Sequence, residues 1–195
     1  MHRLRGFMFT AACLLLLSAC GGKDPETVEQ GSVVKKARTP EEVVWSFAPK
    51  AVRLNIKATP DLNTEGGQSH TVLLCLYQLT KPDGFNALSA TAEGLDKLLQ
   101  CGAFDDSVVA FERMIVAPGQ VTGLVYDRVE KARNTALAAG YANLSPKLVT
   151  RTWAMPIIRE TSGMLWWSET WYYAAPLDMA VLLGPQGIQQ LGGAE

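Results

Sequence analysis

The sequence predicts an all-β fold, an antiparallel β-sandwich, on three observations. Residues 51–59 alternate, Val52, Leu54, Ile56 and Ala58 against Arg53, Asn55, Lys57 and Thr59, the period of a strand with one face buried and the other wet. Residues 71–79 are apolar on both faces, with Val72, Leu74 and Leu76 on one and Leu73, Cys75, Tyr77 and Leu79 on the other, as in a central strand covered on both sides. Further strand-like segments at 112–116, 120–129, 135–142, 148–155 and 177–183 are short and broken by turns, the first pair by Ala117-Pro118-Gly119 alone. Such a pattern leaves little room for helix.

Ahead of this pattern stands a leader. His2, Arg3 and Arg5 charge its start, and residues 7–17 form an apolar run too short to cross a bilayer as a helix. Leu17-Ser18-Ala19-Cys20 then has the form of a bacterial lipobox, so residues 1–19 read as a signal peptide and Cys20 as the covalently lipidated first residue. An ordinary signal peptide with a chance cysteine is the competing reading. Several acyl chains on one cysteine anchor a protein stably where a single chain would not. Gly21 and Gly22 follow, with no aspartate at the position that marks inner-membrane retention in many lipoproteins, which favours the outer membrane with the domain in the periplasm.

Residues 21–38 are polar and glycine-containing, without hydrophobic periodicity, and are expected to be a flexible tether to a domain spanning 39–195. Thr39-Pro40-Glu41-Glu42 is a helix-start signature, and Val43, Val44, Trp45 and Phe47 would pack that short helix before Pro49 ends it. Between the first two strands lies a loop of turn formers, Asp61, Leu62, Asn63, Thr64, Glu65, Gly66, Gly67, Gln68 and Ser69. Lys81-Pro82-Asp83-Gly84 reads as a turn, and Leu95, Leu98 and Leu99 mark a short helix reaching Cys101. The cluster Trp166, Trp167, Trp171, Tyr172 and Tyr173 suits an interface or a strand, and most of it is expected inside the sandwich.

Composition narrows the function classes. Removing Arg3 and Arg5 with the leader leaves 16 basic against 19 acidic residues, a net charge of −3, which is no footprint for nucleic acid. Only His70 survives in the mature chain as an imidazole. Gly67-Gln68-Ser69-His70-Thr71 lacks the closing glycine of a nucleophile elbow and enters a strand rather than a helix. His70, Cys75 and Cys101 lack ligand-pair spacing, and no phosphate-binding or dinucleotide fingerprint occurs. The expectation is a protein that is not an enzyme and carries no cofactor or metal beyond its lipid. Cys75 and Cys101, left in an oxidising compartment, are expected to form a disulfide, two separate buried thiols being the alternative.

Short motifs in a fixed order then carry a resemblance. After the lipobox come Leu62-Asn63 opening the loop, Leu76-Tyr77-Gln78-Leu79, Phe85, Gly94-Leu95, Leu98-Leu99, Cys101 and Phe104-Asp105. Pro118-Gly119, Asp127-Arg128, Ala138-Ala139-Gly140-Tyr141, Arg151, Met155-Pro156 and Leu183-Gly184-Pro185 follow. In this order the chain resembles, over about residues 45–188, the TssJ (SciN-type) outer-membrane lipoproteins of bacterial type VI secretion systems, in the subgroup that carries a cysteine pair. It departs at Asn134 and Thr135, where a bulkier strand start belongs, and in the Trp-rich stretch 166–173.

The resemblance implies a transthyretin-like sandwich of two sheets with short added helices. It also implies a partner, the periplasmic C-terminal region of the inner-membrane protein TssM, which is joined to TssL in the same complex. The loop from Asp61 to Ser69 would be an important contact, with Leu62 as apolar anchor and Asn63 and Thr64 as hydrogen-bonding flanks. The rival expectation is an envelope lipoprotein that binds a different periplasmic partner or a small ligand.

Overall fold

The computed structural model describes residues 26–29, 32–164 and 166–191, so the leader and Cys20 lie outside the described residues. The alternating segment forms β3 (Ala48–Ala58), which buries Val52, Leu54, Ile56 and Ala58 and turns Arg53, Asn55 and Lys57 outward. The two-faced segment forms β4 (Val72–Leu79). Val72, Leu74 and Leu76 have β3's sheet on their side, and Leu73, Cys75, Tyr77 and Leu79 occupy the other face by strand alternation.

After β4 come α1 (Asp83–Ser89) and α2 (Ala92–Leu98), then β5 (Val108–Val116), β6 (Val121–Arg128) and β7 (Asn134–Gly140). The chain continues through α3 (Pro146–Val149), β8 (Thr150–Ala154), β9 (Ile157–Ser162), β10 (Glu169–Ala174), β11 (Leu177–Leu183) and β12 (Ile188–Gln190). It is preceded by β1 (Glu26–Glu29) and β2 (Ser32–Lys35). One four-stranded sheet has the order β12-β11-β3-β6 and the other β5-β4-β7-β8. All pairings are antiparallel except β11 with β3. This is the transthyretin-like sandwich that the resemblance implies, with a single parallel pair.

Two devices hold the layers in register. Gln78, buried on β4, donates from Nε2 to the Asp127 carbonyl (2.7 Å) and accepts at Oε1 from the Val129 amide (3.0 Å), which ties β4 to the end of β6 in the opposite sheet. Both polar ends of the amide are thereby satisfied, as burial demands. On the other face of β4, Phe85, Leu95 and Leu98 of the helices are buried. There the Tyr77 ring lies 5.8 Å from that of Phe85 and 5.5 Å from that of Phe104, and its hydroxyl donates to the Leu98 carbonyl. Burial pushes the Tyr77 phenol up to about 12, partly opposed by the Gly102 backbone. The expected disulfide is present: Cys75 and Cys101, with Cα atoms 5.2 Å apart, bolt β4 to the end of α2.

Several elements differ from expectation for identifiable reasons. Residues 39–47 hold a single 3₁₀ turn, Pro40–Glu42, in which the Thr39 side chain makes no capping bond. Val43 is buried there, whereas Val44 and Phe47 remain exposed. The β-branched pair Val43-Val44 and the extended backbone required before Pro49 stop the helix after one turn. Conversely, the turn expected at 81–84 opens α1, where the Asn86 amide bonds the Pro82 carbonyl (2.9 Å). The strand expected at 148–155 begins only at Thr150, because Pro146 starts the one-turn helix α3.

Two corrections matter for function. The described part of the expected tether, residues 26–29 and 32–38, is structured: β2 pairs with β1, and Ala37 exchanges backbone hydrogen bonds with Tyr172 of β10 (2.8 and 2.9 Å). The aromatic cluster is not in the sandwich, since β9 and β10 form a separate hairpin that pairs with neither four-stranded sheet. Trp166 and Trp167 at its tip are 84% and 82% exposed.

Candidate functional site

Residues 61–69 connect the end of β3 to β4 and are a built structure. Glu65 and Gln68 exchange two backbone hydrogen bonds of 3.0 Å around Gly66 (φ +59°) and Gly67 (φ +79°), a tight two-residue hairpin that requires left-handed backbone at both central positions. Open space surrounds both glycines, so conformation, not crowding, selects them.

Beneath the tip the loop is clamped. Leu62 is fully buried in the core. Asn63, itself in the left-handed region (φ 48°), donates from Nδ2 to the Thr71 carbonyl (3.2 Å) and accepts at Oδ1 from the Ala142 amide (2.8 Å). The Asn63 and Thr64 amides bond the Gly184 and Pro185 carbonyls (3.3 and 3.1 Å), and Thr64 Oγ1 bonds the Asp61 carbonyl (2.6 Å). The expectation that Leu62 is an exposed apolar anchor is therefore corrected: its side chain faces inward and fixes the loop's root. What the loop offers a partner is polar, with Asp61, Thr64, Glu65, Gln68 and Ser69 exposed beside Gly66 and Gly67.

Sequence reasoning missed the neighbours of this loop. A shallow groove of about 190 Å³ runs between Thr64, Glu65, Tyr141, Asn143, Pro185 and Gln186. The Tyr141 hydroxyl donates to the Gly187 carbonyl (3.0 Å), and burial raises its pKa, so the ring serves as a neutral prop. These residues come from the β7–α3 and β11–β12 connections. No local spacing signals their convergence with residues 61–69; the Ala142 amide on Asn63 spans 79 positions.

The opposite end of β3 carries a second feature. A groove of about 380 Å³ lies between the N-terminal segment, the start of β3 and the β9–β10 hairpin, with Phe47, Ile158 and Tyr173 among its apolar lining. Lys35, Lys50, Arg53 and Arg128 line it too, and among the described residues no acidic one does. Arg128 is pinned by bonds from Nε to the Ser46 carbonyl (3.2 Å) and from Nη1 to the Ala175 carbonyl (3.5 Å). Among the described residues no cluster of three His, Cys, Asp or Glu side chains is placed to hold a metal. None of the described helices is long and apolar enough to cross a membrane. Ser69 and His70 stand in a loop entering a strand, not at a strand-to-helix elbow.

Residues 50–169 match the T6SS-SciN family, the type VI secretion lipoproteins VasD, EvfM and TssJ. The chain belongs to that family. It is a family of secretion lipoproteins and not one of enzymes. Among solved structures, the type VI secretion lipoprotein is similar to the T6SS lipoprotein TssJ1 from Pseudomonas aeruginosa, with 21% identity and a TM-score of 0.54, over 75% of this chain and 98% of that one. It is similar also to Serratia marcescens Lip, described as a membrane-bound component of the type VI secretion system, with 17% identity and a TM-score of 0.54, over 76% and 99% of the two chains. A chain in a structure described as the TssM C-terminal domain from EAEC matches with 16% identity and a TM-score of 0.53, over 72% and 97%. At these identities the likeness is one of fold. No curated protein matches the sequence.

Proposed function

We propose that this type VI secretion lipoprotein is anchored in the outer membrane by lipid on Cys20, with its domain in the periplasm. There the loop of residues 61–69 binds the periplasmic C-terminal region of TssM and so links TssM, and indirectly TssL, to that membrane. The protein acts by holding, with no catalytic step and no cofactor beyond the lipid. The observation that carries the reading is bipolarity. The N-terminal segment docks at the hairpin, near the start of β3, while the clamped loop stands at the end of β3, roughly 30 Å away for a strand of that length.

A rigid projection with polar groups held ready loses little conformational entropy on binding, which suits a load-bearing contact. The test must spare Leu62 and Asn63, since both hold the fold. Glu65→Arg with Gln68→Arg changes only exposed side chains. Full-length protein carrying both is expected to lose capture of the TssM periplasmic region from the same organism while keeping its thermal midpoint. Unchanged capture would move the contact away from this loop.

A further inference from the structure

The resting place of the β9–β10 hairpin is not explained by a partner loop at the other end of the sandwich. We propose that its tip seats in the headgroup layer of the same bilayer that holds the lipid on Cys20, a second, non-covalent contact with the membrane. This rests on the lipid-anchor reading.

The tip has the chemistry of an interfacial group. Met164, Trp166 and Trp167 are 82%, 84% and 82% exposed, more than any other large hydrophobic side chain among the described residues. An indole combines an apolar body with one N–H donor, the balance that places tryptophan at membrane–water boundaries. Residues 161–168 carry no charge, and the nearest charged groups, Arg159, Glu160 and Glu169, sit on the stem. The tip is also preformed. The Trp167 amide bonds the Met164 carbonyl (2.7 Å). Gly163 (φ +116°) lets the Trp167 carbonyl oxygen approach to 2.1 Å from where a Cβ would stand. The backbone that presents both exposed indoles is thus fixed before any contact forms.

The chain's own path brings the tip near the lipid. Lys36 pairs with Glu160 (2.7 Å), Ala37 bridges Tyr172, and the Arg38 guanidinium lies 3.5 Å from the centre of the Trp171 ring, so the N-terminal segment runs along the stem. Glu26 of β1 stands opposite Lys35 of β2. Only five residues separate Cys20 from Glu26, and the six Cα–Cα steps span at most about 20 Å. From the level of Lys35 the stem extends five residues to Glu169, roughly 17 Å. Cys20 can therefore reach the level of the stem's outer end, next to the tip. At the hairpin's root, Lys35 and Lys50 line the groove beside the ion-paired Arg53 and the buried Arg128, and the two lysines add charge complementary to anionic headgroups.

The experiment uses full-length lipoprotein in vesicles of phosphatidylethanolamine and phosphatidylglycerol, with bromine on the acyl chains close to the headgroups. Mass spectrometry first establishes the lipid on Cys20. Tryptophan emission is expected to be quenched, and the quenching to vanish in Trp166→Phe/Trp167→Phe, which silences the reporters. It is expected to fall as well in Met164→Glu, which keeps both indoles and puts a charge at the tip. Absence of the lipid mass would overturn the anchor reading and this proposal together. Lipidated protein whose quenching is unaltered by these substitutions would overturn the proposal alone. So would indoles that become shielded only when the TssM region is added, since the tip would then belong to a protein interface.

Discussion

The two ends of the sandwich are held by different means. Residues 61–69 are rooted by a fully buried leucine and by Asn63, whose amide reaches two other segments, so this end can deform only if the core does. The β9–β10 hairpin belongs to neither sheet of the sandwich and is steadied by one backbone bridge, a part-buried and an exposed ion pair and a cation over an indole. Contacts of the second kind stabilise weakly in water. An end that transmits a load to a protein partner gains from stiffness, whereas an end that must settle on a fluid surface gains from a hinge.

The sharpest way to break this comparison is Leu62→Ala. If the loop's root is part of the core, the whole domain should lose about 3 to 4 kcal/mol, read as a lower urea midpoint. A loss confined to the loop would mean that the two ends are alike. Alkaline titration sharpens the contrast from the side of the core. The folded chain holds the Tyr77 proton up to about 12 while the unfolded chain releases it near 10.0. The stability this group contributes is complete below pH 10 and is lost as pH rises through 12, on the order of 3 kcal/mol. Tyr77→Phe should flatten that part of the profile, and an unaltered slope would count against a buried phenol.

Asn63→Ala is expected to cost about 2 kcal/mol, because the Thr71 carbonyl and the Ala142 amide would each lose a partner. It should also weaken TssM capture through loosening of the loop, with Asn63→Asp recovering only the bond to Ala142. At the hairpin, Arg38→Ala should cost only about 0.5 to 1 kcal/mol. Its effect should be local: faster amide exchange at Ala37 and Tyr172, with the global midpoint little changed. A global destabilisation equal to that of Asn63→Ala would erase the distinction between a clamped end and a hinged one.

Legibility in the sequence followed the same division. Val52, Leu54, Ile56 and Ala58 mark the buried face of β3 because a strand's period is two whatever packs on it. The double-faced apolar run of β4 likewise announces a strand covered by a sheet on one side and helices on the other. The Cys75–Cys101 bond was legible because few alternatives remained for either thiol. Leu62 was misread because an apolar residue among turn formers looks the same locally whether it plugs a core or faces a partner. The stretch from Trp166 to Tyr173 was misread because aromatic residues favour strands in any sheet, and nothing local says which sheet they join.

The sequence by itself determined the strand faces, the cysteine pair, the expected lipid site at Cys20 and the membership that its ordered motifs foreshadow. Each depends on residues close together in the chain or on chemistry carried by one residue. The tertiary structure alone decided that Asn63, Tyr141 and Pro185 meet at one end. It alone decided that residues 36–38 lie along the hairpin at the other and that Leu62 turns inward. Those contacts join segments far apart in sequence, and their energies exist only once the sheets have brought them together.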